Sequence, residues 1–237
     1  MRFTIILLMI CFAGGVSAQG VAVIELFTSQ GCSSCPPADK NLTAILKDAE
    51  ENGKQVYGLS FHVDYWNHAG WKDPYSNKEY TARQKDYVRD LESNSLYTPQ
   101  MIVNGRKEFV GSNKSVAEKT IQEALQQSTL YSFTSLEVTV KKKVVHITYT
   151  LDKAPAGELI NFAFVQKKVQ NRVDSGENAG KFLYHNNIVR AFRTAPIEQN
   201  GIIEFDLPVN VSKTTMIVFV QDKKRQVVAA AAKPLQQ

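Results

Sequence analysis

Two cysteines separated by two residues are the feature of this sequence most suited to chemistry. Cys32 and Cys35 lie between an apolar run, residues 21–27, and a segment whose apolar residues have helical spacing. A C-x-x-C pair between a strand and a helix is typical of redox dithiols. A purely structural disulfide is the alternative, but closing a loop of about four residues removes only about 2 kcal/mol of unfolded-chain entropy. The spacing therefore favours a functional pair.

The position of the pair predicts a different role for each cysteine. If a helix starts at Cys32, its sulfur faces the free N–H groups of Ser34 and Cys35 and the positive end of the helix dipole, which favour the thiolate. Cys32 is then the attacking thiol, and Cys35, one turn deeper, is the resolving thiol. The two prolines at 36–37 would distort the first turn of such a helix, so a start nearer Asp39 is the alternative.

A proline further along the chain is the second signal. Thr98 and Pro99 directly precede a strand-like run, residues 101–103, which ends in an Asn-Gly turn. Downstream of a C-x-x-C pair, this arrangement predicts a cis bond packed against the dithiol, although cis X-Pro bonds are rare in general. The alternative is a trans proline that starts an edge strand. We predict Pro99 as part of the catalytic site and Thr98 as a substrate-binding residue.

A cluster of polar and aromatic residues follows the second strand-like run. If that strand is parallel to the first, its C-terminal end lies at the same sheet edge as the dithiol. His62 and Asp64 then share one face, and we predict them as the proton shuttle and its orienting group. Tyr65, Trp66 and Trp71 would line a substrate groove. A core histidine with packing aromatics is the alternative.

Metal binding is a further alternative for the dithiol. Cys32 and Cys35 together with His62 and His68 are ligand types that suit zinc or copper. Disulfide exchange needs neither a metal nor a cofactor, and for this chemistry we predict none.

The elements that must position these residues form two patterns. Strand-like and helix-like segments alternate from Val21 to Gln127 in the order strand, helix, strand, then a hairpin and a helix. About seven short alternating strands follow from Thr134 onward. We therefore predict an α/β thioredoxin-like domain, residues 19–128, followed by an all-β sandwich-like domain, residues 129–237. The polar residues 169–187 are predicted to form a long loop with turn-forming Asn and Gly.

The N-terminal residues 1–18 have the features of a secretory signal peptide. Arg2 precedes an apolar run, residues 3–12, and small residues precede the predicted cleavage point. A membrane anchor is the alternative, but the apolar run is short. We expect a periplasmic or secreted protein with no stable membrane insertion after cleavage, which also removes Cys11. The net charge is only +5 and no aromatic-basic platform is present, so nucleic-acid binding is not expected.

Several motifs together resemble the secreted, thioredoxin-like domain-of-unknown-function 1223 proteins of bacteria. They are residues 25–39 around the two cysteines, 61–66, 70–74, 97–105, 176–178 and 185–186. The resemblance implies a thioredoxin-fold half, a β-rich half, and export to the periplasm or beyond. It implies no known substrate. The two serines between the cysteines, and the lack of Trp before the first, depart from thioredoxin itself.

The sequence thus leads to one hypothesis and two alternatives. The hypothesis is an exported thiol–disulfide oxidoreductase that acts on protein or peptide thiols and has an unidentified redox partner. The alternatives are a non-catalytic peptide-binding module with a structural disulfide, and a dithiol metal chaperone. Reversible reduction of the pair separates the first two, and retention of metal by the reduced protein tests the third.

Overall fold

The computed structural model describes residues 20–68, 70–206 and 213–235. The predicted signal peptide, with Cys11, lies outside the described residues. Three helices are α1 (Pro36–Glu51), α2 (Lys78–Asp90) and α3 (Lys114–Leu125). The strands are β1 (Ala22–Thr28), β2 (Val56–His62), β3 (Gln100–Val103), β4 (Lys107–Val110), β5 (Phe133–Lys141), β6 (Val144–Leu151), β7 (Leu159–Arg172), β8 (Phe182–Pro196), β9 (Asn200–Asp206), β10 (Thr214–Gln221) and β11 (Val227–Pro234).

An eight-stranded mixed sheet forms the centre of the molecule. Its strands follow the order β11-β10-β7-β8-β2-β1-β3-β4. β1 and β2 are parallel, which confirms that expectation, and Thr28 at the end of β1 pairs with His62 at the end of β2. β3 is antiparallel to β1. The C-terminal ends of β1 and β2 therefore bring the segment with the cysteines and the segment after His62 to the same sheet edge.

Helices cover both faces of the sheet around β1. Every residue of β1 is buried, and alternate residues face opposite sides. Ile24 and Leu26 pack with Leu42 of α1 and with α3. Phe27 packs on the other side with Phe61 and with α2. Because β1 is buried on both faces, its sequence is a nearly continuous apolar run.

A second sheet of three strands, β5-β6-β9, packs on the other half of the large sheet. Its inward residues on β6, such as Ile147 and Tyr149, contact Phe162 and Phe164 of β7 and Val218 of β10. Along β9, exposed residues alternate with partly buried ones. This alternation explains the sequence pattern of these strands.

The predicted fold class, an α/β thioredoxin-like domain followed by an all-β sandwich-like domain, is wrong. The molecule is mostly β, and its large sheet runs from β4 of the first half to β11 of the last. The two halves are joined where Ser60 of β2 pairs with Ile188 of β8. The strands themselves are mostly where their patterns predict, but side-chain alternation does not specify which strands become neighbours. The predicted domain boundary at residues 128–129 falls between α3 and β5 and stays a prediction.

The expected long loop at residues 169–187 is also wrong. β7 continues to Arg172 and β8 begins at Phe182, so the connection spans only residues 173–181. The paired ends of these strands carry polar and exposed side chains, so their sequence lacks the apolar signal of a strand. Among the described residues, none of the helices has the length and apolar character needed to cross a bilayer.

Candidate functional site

Cys32 and Cys35 form a disulfide directly before α1, with their Cα atoms 5.4 Å apart. The helix begins at Pro36, and Cys35 is its N-cap residue. This start lies between the two that we expected, Cys32 and Asp39. Prolines at the first helical positions fit this start, because the N–H groups they lack would have no partner within the helix.

The backbone around Cys32 differs from the arrangement that we expected to stabilise its thiolate. The N–H of Cys35 donates to the carbonyl of Cys32 at 3.2 Å. The N–H of Ser33 donates to Glu177 Oε2 at 2.9 Å. The expectation that the N–H of Cys35 is free to face the Cys32 sulfur is therefore wrong in the disulfide form.

Thr98 and Pro99 lie against the disulfide. Their peptide bond is cis, as the sequence predicts. The Cys32 Sγ atom is 3.9 Å from the Thr98 carbonyl oxygen, and the Thr98 hydroxyl accepts a hydrogen bond from Trp66 Nε1 at 2.7 Å. The backbone of Trp66 also packs against Gly31, where an added Cβ would lie 3.3 Å from the Trp66 carbonyl oxygen. Trp66, Thr98 and Pro99 thus form one wall of the site.

The β7–β8 connection, residues 173–181, covers the disulfide from the opposite side; we call it the cover loop. Asn178 is fully buried, and its Nδ2 donates at 2.9 Å both to the carbonyl of Gln30 and to that of Cys32. Glu177 accepts from Ser33, and this hydrogen bond lowers the pKa of the exposed Glu177 carboxyl. Both cysteines have no exposed surface in this arrangement.

His62 lies in the interior and is paired with Asp73 rather than with Asp64. Its Nδ1 is 2.7 Å from Asp73 Oδ2, and both side chains are buried. Burial by itself lowers the pKa of His62, but the charges of Asp73 and Asp39 and the hydrogen bond to Asp73 outweigh it and raise the pKa. Burial raises the pKa of Asp73, but its interactions with His62 and with two backbone N–H groups leave it lowered. The two opposite shifts describe an ion pair.

The other residues predicted for this cluster lie in different directions. Asp64 accepts a hydrogen bond from Thr81 Oγ1 on α2 at 2.5 Å. Tyr65 donates to Gln84 of α2 at 3.3 Å. The structure therefore places Trp66 beside the dithiol and turns Asp64 and Tyr65 towards α2. Their predicted catalytic and substrate-binding roles are untested and stay predictions.

A buried glutamine connects Trp71 to the interior of the site. Gln30 Oε1 accepts from Trp71 Nε1 at 3.1 Å and from Asn171 Nδ2 at 3.0 Å. Gln30 Nε2 is 3.1 Å from His185 Nε2, and the ring of His185 lies 4.8 Å from that of His62, centroid to centroid. His185 Nδ1 is 3.5 Å from Asp39 Oδ2. These contacts form a buried polar cluster behind the disulfide.

Sequence reasoning missed five residues of this site, namely Gln30, Asp39, Asp73, Asn178 and His185. Asp39 had a usable signal, because it follows Cys35 by four residues and lies on the same helix face. The motifs 176–178 and 185–186 carry Asn and Gly, which predict turns and caps there rather than contacts with the dithiol. Their contacts join positions more than 140 residues apart, and local pattern gives no information about such pairs.

A cleft of about 540 Å³ borders the exposed side of the C-x-x-C turn. Its lining includes Ser33 between the cysteines, Pro36 and Pro37 of α1, and two aromatic residues of β8, Phe182 and Tyr184. Both aromatic side chains are more than half exposed, at 59% and 65%. Exposed aromatic side chains beside a cleft are a feature of interaction surfaces.

The metal alternative finds no support in the described part of the chain. Within residues 20–68, 70–206 and 213–235, no three His, Cys, Asp or Glu side chains are grouped to hold a metal ion. His68, the proposed fourth ligand, is exposed at the surface.

Comparison with known proteins identifies the family. The model of a family described as "Protein of unknown function (DUF1223)" matches residues 23–221 of the 237-residue chain. The chain belongs to the DUF1223 family. Among solved structures, this DUF1223 protein is similar to the crystal structure of an Agrobacterium tumefaciens protein from a structural genomics consortium. The two are 26% identical, the match covers 90% of this chain and 94% of the other, and the TM-score is 0.67.

Other comparisons add nothing to this assignment. A GH3 beta-glucosidase of Bifidobacterium adolescentis matches 45% of this chain and 17% of its own at 17% identity, with a TM-score of 0.21. That likeness is too slight to bear on fold or function. No curated protein matches this DUF1223 sequence.

Proposed function

We propose that this DUF1223 protein exchanges disulfides with the cysteine thiols of an extended peptide or protein, outside the cytosol. The observation that carries the proposal is the disulfide between Cys32 and Cys35, together with a buried cluster of ionisable side chains that includes Asp39, four residues after Cys35 on α1. A disulfide across so short a loop contributes little to stability, whereas nearby ionisable groups are useful for moving protons. The signal-like residues at the N-terminus support a location where disulfides persist.

The exchange reaction balances with no further cofactor. In the oxidising direction, a substrate thiolate attacks Cys32 Sγ, the bond to Cys35 breaks, and Cys35 leaves as a thiolate. A second substrate thiolate then attacks the substrate sulfur bonded to Cys32, which forms the substrate disulfide and releases the Cys32 thiolate. Two electrons pass from the substrate to the pair, and both cysteines take up protons. The reverse sequence reduces a substrate disulfide, and a separate redox partner resets the pair in either case.

Access to the pair requires local movement, because neither cysteine has exposed surface. Ser33 and Ser34 between them are exposed, and the turn that carries them is held by Glu177 and Asn178 of the cover loop. Movement of this loop away from the turn would open Cys32 to a substrate. The cleft beside Ser33, with Phe182 and Tyr184, is the proposed contact surface for the substrate chain.

Trapping of a mixed disulfide tests the proposal. The Cys35→Ser variant, reduced and mixed with a peptide carrying a single activated cysteine disulfide, is expected to form a covalent adduct through Cys32, because no resolving thiol is present. The matched Cys32→Ser variant is the control, and it is expected to form adduct at least tenfold more slowly, since Cys32 is the predicted attacking thiol. Mass spectrometry measures both. No adduct with either variant would contradict the proposal.

A second candidate function is a non-catalytic peptide-binding module with a permanent disulfide. The observation that favours it is the complete burial of both cysteines beneath the cover loop. In that case Cys32 and Cys35 would only hold the turn beside the cleft, and the pair would stay oxidised in every cellular thiol buffer.

A further inference from the structure

Three buried polar atoms behind the disulfide have no hydrogen-bond partner among the residues that the structure describes. They are Asp39 Oδ1, His62 Nε2 and His185 Nδ1. The three side chains are adjacent, since His185 contacts both the carboxyl group of Asp39 and the ring of His62. Buried polar groups are normally paired, so three unpaired atoms in one cluster call for a functional explanation.

The free oxygen of Asp39 can be assigned from its surroundings. Its other oxygen, Oδ2, is 3.4 Å from the hydroxyl of Thr28 and 3.5 Å from His185 Nδ1. Both neighbours therefore lie at Oδ2, and Oδ1 is the oxygen with the capacity to accept a proton.

The hydrogen bonds of Gln30 determine which nitrogen of His185 carries a proton. Trp71 is a donor only, so the Gln30 atom facing it must be the carbonyl oxygen. The amide nitrogen of Gln30 then faces His185 Nε2 and donates to it. A neutral His185 thus has its proton on Nδ1, the nitrogen that lies 3.5 Å from Asp39 Oδ2 without a hydrogen bond to it.

Asp39 is placed to serve Cys35. Cys35 has helical backbone angles, and its carbonyl accepts the N–H of Asp39 at 3.1 Å. Residues four apart lie on one face of a helix, and their side chains lean towards the N-terminus, which puts the Asp39 carboxyl group on the Cys35 side of α1. Both side chains are buried, at 3% and 0% exposure.

We propose that Asp39 accepts the proton of Cys35 during disulfide exchange and that His185 is the residue that positions it. This inference rests on the proposed exchange function. When substrate is bound to Cys32 as a mixed disulfide, the Cys35 thiol transfers its proton to Asp39 Oδ1. The Cys35 sulfur then attacks Cys32 Sγ, the bond between Cys32 and the substrate sulfur breaks, and the substrate leaves as a thiolate. Two electrons pass from the cysteine pair to the substrate disulfide, and the reverse reaction returns the proton.

The other ionisable groups near Asp39 come from neighbouring elements. His185 reaches it from β8, and His62 lies beyond on β2, where Asp73 holds it from the following segment. Arg190 of β8 also acts on His62. His62 is already paired with Asp73 through Nδ1. Asp39 has an oxygen atom without a partner and lies on α1, four residues after Cys35, so we assign the proton of Cys35 to Asp39.

Stopped-flow reaction of the reduced protein with dipyridyl disulfide tests the inference. Attack by Cys32 releases one pyridinethione in a phase that depends on disulfide concentration, and resolution by Cys35 releases a second in a first-order phase. The Asp39→Asn variant is expected to keep the first phase and to slow the second about 100-fold at neutral pH. Its second phase should also become about tenfold faster per pH unit, because hydroxide must then remove the proton.

Controls separate the possible failures. Asp48→Asn changes an exposed aspartate of the same helix and should leave both phases unchanged. If Asp39→Asn does not fold, His185→Gln, which keeps Asp39, must slow the second phase several-fold for the inference to stand. A normal second phase with a normal pH profile in Asp39→Asn overturns the inference alone. If the wild-type protein shows no first phase, the proposed exchange function fails together with it.

Discussion

At the scale of single residues, the ion pair between His62 and Asp73 shows how the interior of the site tolerates charge. The pair is buried, but Asp73 also accepts the N–H groups of Gln30 and Tyr75. A carboxylate with several donors keeps its charge in a low-dielectric setting. Breaking such a pair by removing one charge leaves the other buried without compensation, which is strongly destabilising.

The Asp73→Asn variant is therefore expected to lower the free energy of unfolding by about 3 kcal/mol. Urea denaturation of the two proteins measures this difference. Asp174→Asn is the matched control: it changes an exposed aspartate of the cover loop, and its effect should stay below about 0.5 kcal/mol.

The difference between wild type and Asp73→Asn should also depend on pH. The raised pKa of His62 means that its contribution is present at acidic pH and disappears as the pH rises through that raised value. The lowered pKa of Asp73 means that its contribution disappears as the pH falls through the lowered value. The loss should thus be fully expressed between about pH 4 and about pH 6.5. A difference that is flat from acid to alkaline pH would contradict the ion-pair assignment.

The sequence predicts the position of His62 at the sheet edge but not its partner. His62 ends a strand that is parallel to β1, and the rule that ligands bind at such strand ends correctly indicates its position. Asp64 is nearest in sequence, yet the chain turns after His62 and directs Asp64 to Thr81 of α2. Asp73 lies nine residues after Asp64, and the chain folds back so that Asp73 pairs with His62. No local spacing predicts this contact.

At the scale of elements, the cover loop between β7 and β8 is hydrogen-bonded to the turn that carries the dithiol. Asn178 holds the carbonyl groups of Gln30 and Cys32, and the loop has positive φ angles at Gly176 and Gly180, where glycine fits without strain. The loop therefore has a defined closed position that depends on a few hydrogen bonds.

Removal of these bonds should speed the reaction of the disulfide. The Asn178→Ala variant loses both donors, and at about 1 kcal/mol each this should increase the open population, and the rate of reduction by dithiothreitol, at least about tenfold. Quenching with an alkylating agent at timed intervals measures the rate. Asn200→Ala on β9 removes an exposed asparagine far from the site and should react like wild type. Equal rates for all three proteins would show that the loop does not limit access.

The elements were predictable where their own side chains carry the signal. α1 is found because its apolar residues repeat at helical spacing, and the hairpin of β3 and β4 because Asn104-Gly105 marks its turn. For the ends of β7 and β8 the sequence predicts a loop, because their side chains are polar and each strand stabilises the other through backbone pairing. Backbone pairing leaves no trace in sequence composition.

At the scale of the whole molecule, the continuous sheet joins the two halves of the chain. A second link is the buried pair of Arg83 on α2 and Glu25 on β1, where Arg83 Nη2 is 2.8 Å from Glu25 Oε1. The same nitrogen donates to Gln221 of β10 at 3.0 Å. The guanidinium group also lies 4.6 Å from the centre of the Phe192 ring on β8. One side chain thus connects elements from both halves.

These links predict that the two halves unfold together. Hydrogen exchange followed by mass spectrometry in increasing urea should give one midpoint for peptides from β1 and from β10. Arg83→Met should lower the free energy of unfolding by about 3 kcal/mol or more for both, because it leaves Glu25 buried and unpaired. Two separate midpoints, or a loss confined to the first half, would contradict this account and favour independent domains.

The fold as a whole was the least predictable feature. Strand patterns from Thr134 onward predict a separate all-β unit, because alternation shows that a strand has one buried face but not what covers it. In the structure β8 pairs with β2, so strands that are more than 100 residues apart in sequence complete one sheet. That arrangement also brings the cover loop and His185 to the dithiol.

The reduction potential of the Cys32–Cys35 bond tests the central claim most directly. The protein would be equilibrated with glutathione buffers of defined ratio, and its free thiols trapped and counted by mass spectrometry. A pair that exchanges disulfides is expected to titrate between about −120 and about −270 mV. A pair that stays oxidised in every buffer, with a potential below about −300 mV, would contradict the exchange function and leave the disulfide as a structural part of a binding module.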